Sequence, residues 1–531
     1  MNKSPPSRSS LSSRNLIVKP SVEEEAARAA FLALPQLLVD HSNLAATTKA
    51  LADRFAIAGG LFEQGPHVVK IVPTLGGDRI ERLNADGVVL EAHDVCRPVK
   101  LRMVRGEVVR EFITLPDRVA RLFLNLNARR GLQQLQGICA APLLSNDGSM
   151  RCEAGYDSVT GLWCVGIDLP PLPERPTVQD ARESLRQIRS TFATFPFADA
   201  GRVASNGGSA VDLANPPGFD EAALILGLMT AVCRPSLPLA PALLVRAPQL
   251  SGSGTGKGLL VHAIAQIAYG QEPSAFTSGG SRQELEKRIE SALMESGPIV
   301  FLDNCNAEQL SSNVLAQVIT ESTVMTRRLG RSKMVPLTTT AFIAATGNAV
   351  GVSEDLARRF IVLELDAKCE NPERRSFDED FNASIKEQRS DLLGAVLTIW
   401  RWGRQNSLNA GIPLGSFERW STWCRDPLLA LGCVDPVQRA ADIKSDDPHR
   451  QRIFEFLQAW YAQHGSKPIK LRDLDVRVSA ILAGSRQKLA TSIRNLEGAR
   501  AGGFVMSVTR PQGRWGAADY AVHREDEMSA G

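Results

Sequence analysis

The chain has 531 residues, of which 44% are hydrophobic and 22% are charged. This fits a folded protein with two to four domains of ~100–200 residues each. The formal net charge of +3 excludes a uniformly basic nucleic-acid-binding protein and restricts any such surface to a local patch. No apolar run approaches the roughly 18 residues of a membrane span, and the nine cysteines show no Cys-x-x-Cys pair. We therefore expect a cytoplasmic protein with reduced thiols, no membrane partner and no structural metal.

The first part of the chain predicts a disordered arm followed by an α+β N-terminal region. Residues 1–20 are rich in Ser, Pro and Arg, which is typical of disorder. Residues 21–175 begin with helical periodicity, between Val22 and Leu38, and continue with short apolar runs that resemble strands. These runs predict a small β-rich module, and their sequences are HVVKIV, GVVLEA, VKLRMV and EVVREFI.

Residues 176–435 alternate between strand-like runs and helical patterns. Such alternation predicts an α/β domain with a parallel sheet and helices on its faces. The strongest local signal in it is the segment SGSGTGKG, at 251–258, which follows an apolar run and precedes a helical pattern. A strand, a glycine-rich loop and a helix in this order are the context of a phosphate-binding loop.

The residue types of this loop suit phosphate binding. Glycines let backbone N–H groups turn inward, Lys257 adds a cation, and the helix N-terminus adds partial positive charge. Two positions depart from the usual pattern: Ser251 stands at the first glycine, and Gly258 replaces the Ser or Thr that normally binds magnesium, a place that water can fill. We expect ATP and Mg²⁺ as ligands, and the candidate nucleotide-binding residues are Gly252, Ser253, Gly254, Thr255, Gly256, Lys257 and Gly258.

A second motif, PIVFLDN at 298–304, predicts a buried strand that ends in an acid. Such an acid can hold magnesium from the side opposite the loop, so Asp303 is the predicted metal ligand. Asn304 stands where a general base is common; its amide can orient water but cannot accept a proton, so the base is not identified. An ordinary buried strand that ends in a turn-forming Asp-Asn pair is the alternative.

A third strand-like run ends at Asn348, which is suited to sense the γ-phosphate. Of two arginines that follow shortly after it, one could reach the nucleotide of a neighbouring subunit and stabilise transition-state charge. About 45 residues separate Lys257 from Asp303, and again Asp303 from Asn348. The predicted catalytic residues are Lys257, Asp303, Asn304, Asn348, Arg358 and Arg359.

In this order the motifs resemble those of phage and mobile-element primase–helicase ATPases of helicase superfamily three, within the AAA+ class. The likeness rests on SGSGTGKG, PIVFLDN, TRRLGRS, ATGN and DLARRF. Upstream, LFEQGPHVVKIV, GYDSVTGLW and FATFPF look like segments that precede the ATPase in such proteins, so the likeness covers about residues 60–425. It implies a P-loop AAA+ core in homo-oligomeric rings, usually hexamers, that hydrolyse ATP between subunits and move along one DNA strand.

The resemblance also implies a basic hairpin that holds single-stranded DNA in a central channel. A concentrated positive loop can follow a phosphate backbone without reading its sequence. A solvated charged turn, or an intersubunit contact made by Arg328, is the alternative. A polymerising primase needs clustered carboxylates, and because Asp94 and Asp157 stand alone we expect no primase activity. The candidate channel residues are Arg327, Arg328, Arg331 and Lys333.

Residues 445–525 predict a separate C-terminal domain. Its patterns indicate a helix, a short strand, two helices and a hairpin, which is similar to a winged helix. The second of the paired helices would enter the major groove of duplex DNA, and the turn between Arg510 and Arg514 would be the wing. A protein-docking winged helix is the alternative. The candidate duplex-binding residues are Arg486, Lys488 and Arg494.

The sequence leaves three functions open. The first is an ATP-dependent DNA helicase or translocase that acts in replication of a phage, prophage or other mobile element. The second is an ATP-binding switch or initiator that assembles on DNA with little unwinding, which Gly258 and Asn304 favour. The third is a regulatory or defence ATPase whose target is a protein.

Overall fold

The computed structural model describes residues 29–74, 77–205, 208–249, 252–277, 281–294, 297–305, 309–327, 334–338, 340–375, 380–406, 408, 411–439, 448–482, 486–510 and 518–525. The chain divides into two compact units, Met1–Leu135 and Gln136–Gly531. The predicted disordered arm, residues 1–20, lies outside the described residues. Within the described ranges, no helix is both long enough and apolar enough to cross a membrane.

The N-terminal unit packs helices against small sheets. Its helices are Leu44–Ala58, Ala85–Val95 and Asp117–Leu124. One sheet has the strand order Gly77–Arg82, His67–Thr74, Leu61–Gln64, Gln133–Gln134, and the other has the order Gln36–Leu38, Arg97–Val104, Glu107–Phe112. Apolar side chains from all three helices form its core, among them Leu51, Phe55, Val88, Val119 and Phe123.

One segment of this unit differs from the strand-like pattern of its sequence. The run GVVLEA lies in the helix Ala85–Val95, so its assignment to a strand is wrong. The Asn84 side chain caps the helix by accepting a hydrogen bond from the Gly87 N–H at 2.7 Å. Val88 and Ala92 are buried four residues apart, on one helical face. The cap and this spacing outweigh the strand preference of adjacent valines.

The second unit begins with short strands that the sequence grouped with residues 21–175. The strand Gly137–Cys139 pairs in parallel with Leu162–Cys164, which pairs antiparallel with Gly155–Asp157. The helix Val178–Thr191 follows, and reciprocal hydrogen bonds between Thr177 and Asp180 cap its start. Two further antiparallel pairs are Leu143–Leu144 with Met150–Arg151 and Arg202–Ser205 with Gly208–Val211.

A five-stranded parallel sheet lies at the centre of the second unit, as the βα alternation predicts. Its strands are β1 (Ala242–Ala247), β2 (Ala275–Thr277), β3 (Ile299–Asp303), β4 (Phe342–Asn348) and β5 (Phe360–Glu364). They lie in the order β2-β3-β4-β1-β5, with every pair parallel. Most residues of β1, β3, β4 and β5 are apolar and buried, as expected for a sheet covered on both faces.

Helices surround this sheet. The helix Phe219–Cys233 is buried along almost its whole length, and the helix Lys257–Tyr269 follows β1 directly across the glycine-rich loop. The hairpin Thr323–Arg327 with Met334–Thr338 precedes β4, and Gln309–Leu310 pairs with Gly351–Val352. Other helices are Arg282–Met294, Asn313–Thr320, Glu354–Ala357, Phe381–Glu387, Arg389–Gln405, Glu418–Trp420, the π-helix Ser421–Arg425, and Asp426–Ala430.

The C-terminal segment contains the predicted sequence of elements and has its own apolar core. Helix Pro448–His464 contributes Phe456, Leu457 and Trp460 to that core. The remaining elements are Ile469–Lys470, Val476–Leu482, Arg486–Asn495, Arg500–Ala501, Phe504–Thr509 and Asp519–Arg524. The four strands form one sheet in which the last two strands pair as an antiparallel hairpin. Residues 511–517, which include most of the predicted wing, lie outside the described ranges.

Candidate functional site

The glycine-rich loop connects the carboxyl end of β1 to the helix Lys257–Tyr269. The Lys257 ammonium donates hydrogen bonds to the Gly252 carbonyl at 2.5 Å and to Thr255 Oγ1 at 3.5 Å. The buried Thr255 hydroxyl also donates to the Gly252 carbonyl, at 3.0 Å. The loop therefore curls over the lysine and brings it against the loop's own backbone.

Glycine is required in this loop by backbone conformation and by close neighbours. Gly254 and Gly256 have φ values of 72° and 97°, in the left-handed region that side chains disfavour. A Cβ at Gly254 would lie 2.6 Å from the backbone nitrogen of Glu373, and one at Gly256 would lie 3.0 Å from the Phe195 ring. Both neighbours lie far from the loop in sequence, so the loop is held by tertiary contacts as well as by its own hydrogen bonds.

The environment of Lys257 differs from that of a surface lysine. Burial lowers the pKa of its ammonium, while the negative charge of Asp303 acts in the opposite direction. The sequence predicts that these two side chains share one site, and they are close enough to interact electrostatically. A cation and a carboxylate close together beside a glycine-rich loop are suited to a phosphate group with a divalent metal.

Asp303 ends β3 and is held by the neighbouring strand. The Thr346 hydroxyl, on β4, donates a hydrogen bond to Asp303 Oδ1. The same hydroxyl oxygen accepts a bond from the Asn304 N–H at 3.2 Å, and the Asn304 amide donates to Asp303 Oδ2 at 3.4 Å. Asn304 itself has a φ of 54°, so the chain turns sharply after the acid. These contacts hold both carboxylate oxygens of Asp303, which is half-exposed at the carboxyl end of β3.

Asn348 lies beside the loop because β4 is inserted between β1 and β3. It is the last residue of β4 and pairs in register with Ala247, the last residue of β1. A Cβ added at Gly252 would collide with Asn348 Oδ1 and with the Pro248 carbonyl. The sheet order thus brings Lys257, Asp303 and Asn348 to one edge, as the three motifs predict.

The two candidate arginines have different environments. Arg359 donates hydrogen bonds to the Ala316 carbonyl at 2.5 Å and to Asp355 Oδ1 at 2.9 Å, and its side chain is 12% exposed. Arg358 is exposed, and its side chain makes no hydrogen bond or ion pair with another residue of the described ranges. Arg359 is therefore occupied within its own chain, whereas Arg358 is available to an external group.

The candidate DNA-binding residues are only partly described. Arg327 ends the first strand of the hairpin before β4, opposite Met334, which agrees with the predicted position of a hairpin. Arg328, Arg331 and Lys333 lie outside the described residues. In the C-terminal segment, all three basic candidates lie on one helix and Arg494 is exposed; the others are Arg486 and Lys488.

A separate cleft of about 510 Å³ lies at the opposite end of the sheet. Residues at the start of β2 and β3 line it, so it is at the amino ends of the strands. Its charged residues are of both signs, and among the described residues that line it only Gly297 is a glycine. The lining includes Glu272, Phe276, Glu284, Lys287, Arg288 and Ile299.

Several residues at the candidate site were not predicted from the sequence. Thr346 is a small polar residue inside an apolar strand, and its contact with Asp303 depends on the order of the strands. Glu373 and Arg375 reach the loop from the segment after β5, and Arg375 donates to the Gly254 carbonyl at 3.4 Å. Phe195 lies in FATFPF, a segment that resembles one of the family but predicts no contact with the loop. Among the described residues, no group of three or more His, Cys, Asp or Glu side chains forms a metal-binding cluster.

Comparisons with known proteins do not assign the chain to a family. No protein-family model matches it, and a search of curated proteins finds no match. An apo A-form structure of the NrS-1 C-terminal region is similar, with 13% identity and a TM-score of 0.38 over 89% of this chain and 98% of that one. A second apo A-form structure of that region, 305–718, has 11% identity and a TM-score of 0.36 over the same shares. Because these identities and TM-scores are low, the two structures contribute no argument about the function of this chain.

Proposed function

We propose that this protein is an ATPase that acts on DNA, as a ring-forming helicase or translocase in the replication of a phage, prophage or other mobile element. One observation carries the proposal: Lys257, Asp303 and Asn348 converge on a glycine-rich loop at the carboxyl edge of a parallel sheet. Open α/β sheets bind their ligands at this edge. The order of the motifs along the chain, which resembles helicase superfamily three, supports the same reading.

Each residue of the edge has a role in this proposal. The loop N–H groups and Lys257 hold the β- and γ-phosphates, and Asn348 donates a hydrogen bond to the γ-phosphate. Asp303, steadied by the Thr346 hydroxyl, would offer the oxygen ligand that Mg²⁺ prefers, and water would take the place of the hydroxyl that Gly258 lacks. The metal, when bound, neutralises charge on the phosphates. Arg358 is the better candidate for the neighbouring subunit's nucleotide, because Arg359 is bound within its own chain.

The proposed DNA contacts are electrostatic. The hairpin Thr323–Arg327 with Met334–Thr338 would present its basic turn to a single strand. The helix Arg486–Asn495 would contact a duplex, with the C-terminal segment acting as a winged helix. Both contacts require a positive local surface rather than a basic chain, which agrees with the net charge of +3.

An ATP-dependent switch on DNA is the second candidate, and Asn304 favours it. Its side chain is an amide that donates to Asp303, so it can orient a water molecule but cannot accept the proton of one. Together with Gly258, this favours slow hydrolysis and long-lived ATP-bound assemblies. The motor and the switch would use the same nucleotide site and would differ in the rate of ATP hydrolysis.

Hydrolysis of ATP by the purified full chain, with and without single-stranded DNA, tests the proposal. We expect DNA to stimulate hydrolysis, and both Lys257→Ala and Asp303→Asn to abolish it. ATP binding with slow hydrolysis that DNA does not stimulate would favour the switch over the motor. Hydrolysis that survives Lys257→Ala would show that the loop is not the site.

A further inference from the structure

The segment that follows β5 lies directly on the glycine-rich loop. Its 3₁₀ helix Pro372–Arg374 brings the Glu373 backbone so close to Gly254 that no side chain fits there. The Arg375 guanidinium then donates to the Gly254 and Thr255 carbonyls, at 3.4 Å each. The peptide groups that carry these carbonyls also carry the N–H groups of the loop. Arg375 thus contacts the backbone that would bind phosphates.

A second arginine, Arg202, contacts a residue that packs against the same loop. Arg202 donates to the Phe195 carbonyl at 2.8 Å and to Ser209 Oγ at 2.8 Å. The Phe195 ring is the close neighbour of Gly256. Arg375 therefore contacts the loop directly, whereas Arg202 acts on it through Phe195.

The charge of Arg375 also acts on Arg202. Burial lowers the pKa of both, and the positive charge of Arg375 lowers the pKa of Arg202 further. The hydrogen bonds of Arg202 go to neutral acceptors, namely backbone carbonyls and a hydroxyl, rather than to a carboxylate. Two partly desolvated cations close together are stabilised by an anion. Beside a glycine-rich loop with Lys257, that anion would be a polyphosphate.

We propose that Arg375, supported by Arg202, is a positioning residue that acts on the nucleotide from the same subunit. It holds the loop through the Gly254 and Thr255 carbonyls and adds positive charge for the β- and γ-phosphates. This inference rests on the proposed nucleotide site. The inference is that a cation of the same subunit strengthens ATP binding. Removal of this cation should therefore weaken ATP binding in the monomer as well.

Binding of ATP and of AMP to the full chain tests the inference, at protein concentrations where sizing shows a monomer. The variants are Arg375→Ala, Arg375→Lys and Arg202→Ala, with Arg374→Ala as the matched control, because Arg374 is exposed in the same segment. We expect Arg375→Ala to weaken ATP binding at least about tenfold, the effect of losing a hydrogen bond to a charged group. AMP, which lacks the β- and γ-phosphates, should lose much less affinity. Arg375→Lys should recover part of the loss, Arg202→Ala should weaken ATP binding less than Arg375→Ala, and Arg374→Ala should bind as the wild type does.

Two outcomes would overturn the inference alone. One is wild-type ATP affinity in Arg375→Ala. The other is an equal loss for ATP and AMP together with a lower melting temperature, which would indicate a structural role. A wild-type chain that binds no nucleotide would overturn the proposed function as well, so the two failures are distinguishable.

Discussion

At the scale of single residues, the charge of Lys257 is the feature by which the proposed site would attract phosphate. Its ammonium is partly removed from water, and the contacts to Gly252 and Thr255 hold it at the mouth of the loop. Asp303 lies on β3, and its negative charge offsets part of the effect of this desolvation on the lysine. In the proposed site, the pair would combine a cation for the phosphates with an acid for their metal.

The lowered pKa of Lys257 predicts how ATP affinity depends on pH. A lysine is charged below its pKa, so a pKa below the usual 10.5 means that the charge is lost at a lower pH than for a surface lysine. We expect ATP affinity to fall as the solution becomes alkaline. The measurement is the ATP dissociation constant as a function of pH, compared with Lys257→Arg, whose guanidinium stays charged. The same alkaline decline in both proteins would contradict the assignment of the effect to Lys257.

The two adjacent arginines should respond differently to removal. Arg359→Ala leaves the Ala316 carbonyl and Asp355 without their partner, so the free energy of unfolding should fall by about 1–3 kcal/mol. Arg358→Ala should change it by less than about 0.5 kcal/mol, since Arg358 is exposed. In assembled protein, however, Arg358→Ala should slow ATP hydrolysis by about a thousandfold or more. Chemical denaturation and steady-state hydrolysis measure the two effects, and the reverse pattern would exchange the two roles.

At the scale of elements, the sequence predicts those strands and helices that depend mainly on residues close together in the chain. The central strands follow from apolar runs, because such runs favour strands that are buried on both faces of a sheet. The helix Ala85–Val95 was mistaken for a strand because its adjacent valines hide the helical spacing of Val88 and Ala92. The Asn84 cap was the signal that could have corrected this.

The contacts that complete the candidate site could not be predicted in the same way. Thr346 lies 43 residues from its partner Asp303, and Arg375 lies 121 residues from the Gly254 carbonyl. No spacing rule links residues so far apart, because their proximity depends on the order of strands in the sheet. The motifs predict Lys257, Asp303 and Asn348. The residues that support these three can be identified only once the folded structure is known.

The cap of the reassigned helix can be tested by substitution. Asn84→Ala removes the oxygen that accepts from the Gly87 N–H, so it should lower the free energy of unfolding by about 0.5–2 kcal/mol. The control is Leu90→Ala in the same helix, because Leu90 is 69% exposed and should lose little. Denaturant unfolding measures both variants. A neutral Asn84→Ala would mean that the cap contributes nothing to the helix.

At the scale of the whole molecule, the central sheet has two ends with different chemistry. The carboxyl end has the glycine-rich loop, Asp303 and Asn348, and the amino end has the cleft of about 510 Å³. Cleft volume alone would favour the amino end as the binding site. The N–H groups and cations of the loop favour the carboxyl end for a polyphosphate.

Equilibrium binding of Mg²⁺-ATP to two lysine variants decides between these ends most directly. Lys257 lies in the loop, and Lys287 is an exposed lysine that lines the cleft at the amino end. We predict that Lys257→Ala abolishes measurable binding while Lys287→Ala binds ATP as the wild type does. Retained binding in Lys257→Ala, or its loss in Lys287→Ala, would contradict the nucleotide site on which the whole account depends.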